Sequence, residues 1–139
     1  MSLLIPSVGQ VLALNNFLNA ASPQNQQVHL YCNNYTPAET DTAASYTEAA
    51  GGGYAAISLT GTSWATTSGT PSSSSYAQQT WTFTGALTTN PTIYGYFVTQ
   101  ATSGTLMWSE RFATSFTPAN NGDKLLLTPI IECGNGTPT

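Results

Sequence analysis

Charge is what this chain has least of. Only 6% of its 139 residues are Asp, Glu, Lys or Arg, against roughly 25% in an average soluble domain. The basic residues are two, Arg111 and Lys124, and the net charge is −4. Sequence-independent nucleic-acid binding needs several cations to neutralise phosphates. Two isolated ones exclude a nucleic-acid groove, and they exclude a polybasic membrane patch for the same reason. Histidine is equally scarce: His29 is the only one, and Cys32 and Cys133 are the only cysteines. One His and two distant Cys do not make a recognisable zinc site. A disulfide between the cysteines requires that their strands be neighbours; otherwise they read as two small buried hydrophobes. No apolar run approaches the ~20 residues of a membrane-spanning helix. Met1-Ser2-Leu3-Leu4-Ile5-Pro6 has neither the basic start nor the long apolar stretch of a secretory signal.

Thr, Ser, Asn and Gln supply the polarity that charge does not. Hydrophobic residues make up 40% of the chain, and its 7 Tyr, 5 Phe and 3 Trp suit the half-buried faces of pleated sheets. The length fits one domain with a core of its own. A surface short of charge has weak self-repulsion and tolerates close packing against copies of itself.

One helical pattern is present, from Ser7 to Asn19, where Val8, Val11, Leu12 and Leu18 fall on one stripe and Ser7 with Gln10 reads as a capping box. From Val28 on, the period is two. Val28, Leu30 and Cys32 alternate with His29, Tyr31 and Asn33. A long polar connection over 36–53 ends in Gly51-Gly52-Gly53. Strands follow over 54–60, briefly around Trp64, and over 76–84, where Trp81 and Phe83 face away from Thr80 and Thr82. The serine-rich stretch Ser68 to Ser75 reads as a flexible loop. Thr92 to Gln100 is apolar on both faces, as in a central strand. Ser103-Gly104 turns the chain, and Leu106, Trp108 and Phe112 mark one face of the next strand. Asn120-Asn121-Gly122-Asp123 turns it again into a last strand over Lys124 to Ile131, which Pro129 places at an edge or a bulge. Seven or eight strands separated by Gly, Pro and Asn clusters predict an all-β chain, a jelly-roll-like β-sandwich with a short N-terminal helix, with closure into a barrel as the alternative. Residues 1–26 form an N-terminal arm with that helix, and residues 27–139 the sandwich.

No catalytic, cofactor-binding or metal-ligating residue is assigned. A Ser-His-Asp triad would need His29, which alternates with apolar neighbours on a strand and has no readable partner. Asp41 with Glu48, or Glu39 with Asp41, is a possible carboxylate pair for glycoside hydrolysis, but the acids cluster in a polar connection where solvation explains them. Glu39 and Asp41 with nearby carbonyls are a possible Ca²⁺ site, without EF-hand spacing. Glu110 shares a face with Leu106, Trp108 and Phe112 on a regular strand, so it must be paired, protonated or at the sheet margin; Lys124 is a candidate partner, while Arg111 points to the opposite face. Trp64, Trp81 and Trp108 could stack sugars, though in β domains such residues are more often core. Asn34-Tyr35-Thr36 and Asn135-Gly136-Thr137 match a glycosylation pattern that has little meaning without secretion.

Several stretches taken together resemble a known group: Leu30-Tyr31-Cys32-Asn33-Asn34 before Thr36-Pro37; Asp41-Thr42-Ala43-Ala44-Ser45-Tyr46-Thr47-Glu48-Ala49; Gly53-Tyr54-Ala55; Tyr76-Ala77-Gln78-Gln79-Thr80-Trp81; Tyr94-Gly95-Tyr96-Phe97-Val98; Trp108-Ser109-Glu110-Arg111-Phe112; and Asn121-Gly122-Asp123. The pattern, from about Val28 to Ile131, resembles that of small virion structural proteins of tailed bacteriophages. The resemblance implies a non-enzymatic virion component. By analogy with small phage proteins it implies a capsid decoration, or cement, protein on the capsid exterior, with the major capsid protein and its own copies (a homotrimer) as partners and no cofactor. The alternative is a tail or baseplate component, or a receptor- or carbohydrate-binding module.

Overall fold

The computed structural model describes residues 4–9, 24–69 and 72–133. The described chain is built of antiparallel strands: β1 (Gln26–Tyr31), β2 (Ile57–Leu59), β3 (Ala65–Thr67), β4 (Ser72–Ser75), β5 (Gln79–Thr82), β6 (Ile93–Gln100), β7 (Leu106–Phe116), β8 (Lys124–Leu127) and β9 (Ile130–Cys133). The all-β expectation is met. Helix among the described residues is limited to the turn Ser7–Gly9 and two 3-10 turns, Ala43–Ser45 and Gly61–Ser63. The expected helix over Ser7 to Asn19 therefore begins in place, but residues 10–23, including the Gln10 half of the capping box, lie outside the described residues. No described helix is long and apolar enough to cross a membrane.

One sheet has the order β2-β1-β6-β7. Pairings such as Val28↔Val98 and Leu30↔Tyr96 put Val28, Leu30, Tyr96, Val98 and Trp108 on one face, where they meet Trp81, Phe83 and Leu125 in the main core. Trp81 and Phe83 are 4% and 0% exposed, while Thr80 and Thr82 face solvent, as the alternation predicts. Each large apolar side chain buried this way contributes about 2 kcal/mol.

The remaining strands form a bent ribbon. β4 and β5 follow one another and pair with β9 and β8 respectively. Between Ser75↔Ile130 and Gln79↔Leu127 one side of the ladder advances an extra residue, which is a bulge. Pro129 sits at this bend and cannot donate to a ladder; its carbonyl accepts from the Tyr76 amide at 2.9 Å. The single last strand expected over Lys124 to Ile131 is thus two strands, broken at the proline. The serine-rich stretch is a second correction. Ser72 to Ser75 is not a loop but β4, hydrogen-bonded to β3 on one side and β9 on the other.

A third correction concerns β7. Val98 pairs with Trp108 but Thr99 with Leu106, so Met107 is an extra residue. The bulge rotates Leu106 off the face of Trp108 and onto the opposite face of the sheet, where it packs with Tyr31, Tyr46 and Phe97.

That opposite face is covered by the connection after β1. The connection returns along the end of β1, with the Cys32 amide donating to Thr47 at 2.8 Å and the Ala49 amide to Leu30 at 2.9 Å. β6 is therefore buried on both faces, as its sequence implied. The Gly51-Gly52-Gly53 run ends the connection with φ of +80°, +58° and +76°, a backbone that only glycine adopts without strain. It docks directly on the segment after β5, where the Thr84 amide donates to Gly52 at 2.9 Å and the Thr88 amide to Ala50 at 2.8 Å.

Candidate functional site

The polar side chains that sequence singled out do not converge on one cleft. They form three knots: those of His29 and Arg111 are held by partners 19 to 77 residues away, that of Asp41 by partners 3 to 6 residues away.

The first knot centres on His29. Its ring lies flat against Phe97, centroids 4.7 Å apart and planes 12° from parallel. Nδ1 is 2.8 Å from Glu48 Oε1 and Nε2 is 3.0 Å from Thr99 Oγ1. The Tyr54 hydroxyl also donates to Glu48 Oε1 at 2.8 Å, while accepting from the Leu30 amide at 3.0 Å. An ionised carboxylate only accepts, so it fixes the proton of a neutral imidazole on Nδ1 and leaves Nε2 to accept from Thr99. Sequence left His29 without a partner; the fold supplies an acid on one side and a hydroxyl on the other. The partners were invisible because Glu48 comes from the polar connection and Thr99 from β6. Thr99 is only 5% exposed, and neither described cavity is lined by His29, Glu48 or Thr99.

The second knot is a buried carboxylate. Asp41, 4% exposed, accepts from the Tyr35 hydroxyl at 2.7 Å, the Tyr46 hydroxyl at 2.7 Å and the Ala38 amide at 2.8 Å. The reading of this acid as a solvated loop residue is corrected. Asp41 and Glu48 belong to different networks, and both Asp41 oxygens are occupied by protein donors, which takes away the central ligand of the Ca²⁺ reading. Burial pushes the Asp41 carboxyl up, but the hydrogen bonds from Tyr35, Ala38, Tyr46 and Ser45 outweigh it and hold it below the usual carboxylate range. Burial drives the Tyr46 hydroxyl in the opposite direction, well above its ordinary value.

The third knot is Arg111. Its guanidinium donates to the Tyr35 carbonyl and to Asn34 Oδ1, both at 2.6 Å, and lies 5.2 Å from the centre of the Tyr94 ring. Asn34, the first of the two glycosylation-like asparagines, is thereby engaged; Asn135 lies outside the described residues. On the other face, Glu110 sits beside Trp108 and Phe112 as expected and accepts from the Tyr96 hydroxyl at 2.9 Å. Tyr96, not Lys124, is the partner that makes an acid tolerable there. Cys32 is a free, buried thiol whose Sγ lies 3.3 Å from the Thr47 carbonyl.

Trp81 and Trp108 are core residues, each 4% exposed. Trp64 is half-buried at the margin of that core, packs edge-on against Tyr76 and Trp108 and donates its indole N–H to Gln26 at 2.9 Å.

A groove of about 350 Å³ lies between the far half of β7 and β8. Phe112, Phe116 and Leu125 form its floor, with Leu126 and Lys124 along β8. Among the described strands, β7 ends its sheet, with Leu4 bridging it at Ser109, and β8 pairs only with β5. Leu126 is 55% exposed. The sequence places Phe112 on one face of its strand but carries no signal that β8 lies against the far half of β7, so the groove is not legible in it. No family model, curated protein or solved structure matches this chain.

Proposed function

We propose that this chain is a capsid decoration protein of a tailed bacteriophage, a jelly-roll-like sandwich that binds the major capsid protein on the head exterior as a homotrimer and performs no catalysis. The observation that carries this reading is the groove between β7 and β8 in a chain with almost no charge. Phe112, Phe116 and Leu125 offer apolar area, and beside them lie strands that end their sheets among the described residues. Together they suit adhesion to another protein by burial and strand pairing. The titratable residues support the same reading from the other side: Asp41 and Arg111 hold the connection against the sheet, and His29 lines neither described cavity. A lattice-bound clamp needs a rigid body and one repeated contact surface, and the three knots supply the rigidity.

A tail or baseplate position uses the same surface and is the second reading. The sugar-binding variant keeps only half-buried Trp64 of its three tryptophans, because Trp81 and Trp108 are in the core. Antibody labelling of this protein on purified particles, viewed by electron microscopy, separates the two. Label over the head supports decoration; label confined to the tail overturns it.

A further inference from the structure

The acid–imidazole–hydroxyl chain Glu48–His29–Thr99 is built like an activation relay, yet its hydroxyl is buried. A nucleophile closed off from solvent has only neighbouring protein groups to attack. The register of β1 and β6 identifies one: Gln27 pairs directly with Thr99. Direct cross-strand partners share a face, with Cβ atoms about 5 Å apart. Gln27 also shares that face with His29, two residues along the same strand. A carboxamide, a hydroxyl and an oriented base therefore occupy one patch of a two-strand ladder.

We propose that Thr99 and Gln27 become joined by a self-catalysed ester bond. His29 Nε2 takes the Thr99 hydroxyl proton as Oγ1 attacks Gln27 Cδ. The tetrahedral intermediate collapses with cleavage of the Cδ–Nε2 bond of Gln27. The proton held by His29 passes to the departing nitrogen, which leaves as ammonia. One C–O bond forms and one C–N bond breaks; nothing is oxidised or reduced, and no other reactant is needed. Glu48 stabilises the imidazolium formed midway, and the Phe97 ring fixes the imidazole plane. Holding both reacting groups on paired strands replaces a bimolecular encounter with a positioned one. Burial of Thr99 shields the alkyl oxygen of the ester, while half-buried Gln27 lets the ammonia escape to dilute solution, which draws the exchange forward.

The intact mass of the purified full chain tests this. The cross-linked protein is about 17 Da lighter than its sequence, and a peptic digest contains the segments around Gln27 and Thr99 as one species that hydroxylamine separates. Thr99→Val, close in shape, restores the full sequence mass; Thr99→Ser keeps the loss. A wild-type protein at full mass after prolonged incubation overturns the proposal whether or not any variant folds. So does a 17 Da loss that persists in Thr99→Val, since succinimide formation at Asn121-Gly122 gives the same mass without Thr99.

Discussion

Tyr46 donates its hydroxyl proton to Asp41 across 2.7 Å. The same oxygen is 2.9 Å from Ser109 Oγ, and because its one proton is committed to the carboxylate, Ser109 is the donor in that second bond. Three side chains thus tie the connection after β1 to β7, and the ring of Tyr46 stacks on Phe97 of β6, centroids 5.0 Å apart. The covering of the sheet's second face is fastened by a buried anion and its donors as well as by the apolar contacts of Tyr31, Tyr46, Phe97 and Leu106.

Acid should therefore loosen this face. The folded Asp41 carboxyl titrates below its unfolded value of about 3.9. Its stabilisation is fully present above the unfolded pKa and is lost as pH falls through the folded one. Asp41→Ala removes the acceptor from two tyrosine hydroxyls and should cost about 3 kcal/mol at neutral pH. Urea unfolding of the wild type and of the variant, followed from pH 7 down to pH 2, should show a gap that narrows at the acid end. A constant gap would contradict the assignment.

Gly95 makes a different kind of contact. A Cβ there would meet the Tyr31 ring and the Glu110 carbonyl. Tyr31 is fully buried, and burial pushes its hydroxyl up to about 12. Neither a buried ring nor a ladder carbonyl can retreat cheaply, so Gly95→Ala should destabilise by about 3 kcal/mol. Calorimetry should record a large fall in Tm; an unchanged Tm would mean that the ring does not lie across β6.

Arg111→Lys keeps the charge but loses the planar fork. One ammonium cannot reproduce two 2.6 Å bonds to Tyr35 and Asn34 together with the approach to Tyr94. The expected cost is about 1–2 kcal/mol, with faster hydrogen exchange at the amides of 33–41. Unchanged exchange would show that the clamp does not hold that segment.

These three sites show where the sequence was readable. Trp81 and Phe83 were placed on one face because a half-buried strand prints its period directly in hydrophobicity. Ser72 to Ser75 prints nothing: four serines become a strand only through partners on β3 and β9. Leu106 was placed on the wrong face because one bulged residue, Met107, reverses the alternation. Asp41 lies in a polar connection and His29 and Arg111 on strands, and the sequence does not reveal their partners, which lie 3 to 77 residues away. The acid on β7 was the exception. Glu110 among Trp108 and Phe112 announced that it needed a partner, although only the cross-strand register identifies Tyr96.

The groove carries the functional reading and can be altered without touching these knots. Leu126 is more than half exposed, so Leu126→Glu should change stability by no more than about 0.5 kcal/mol. It places a charge at a surface meant to be buried on binding. Binding to heads should fall at least tenfold while thermal unfolding stays in place. Full binding by the variant would move the contact surface elsewhere.

The most direct measurement is the number of copies bound when purified protein is mixed with undecorated heads at low and at high salt. With two basic and six acidic residues in the chain, little of the attraction can be electrostatic and salt has little to screen. The account predicts saturable binding of an oligomer, in a fixed ratio to capsid subunits, with nearly equal occupancy at both salt concentrations. A monomer that leaves the heads bare at both would contradict it.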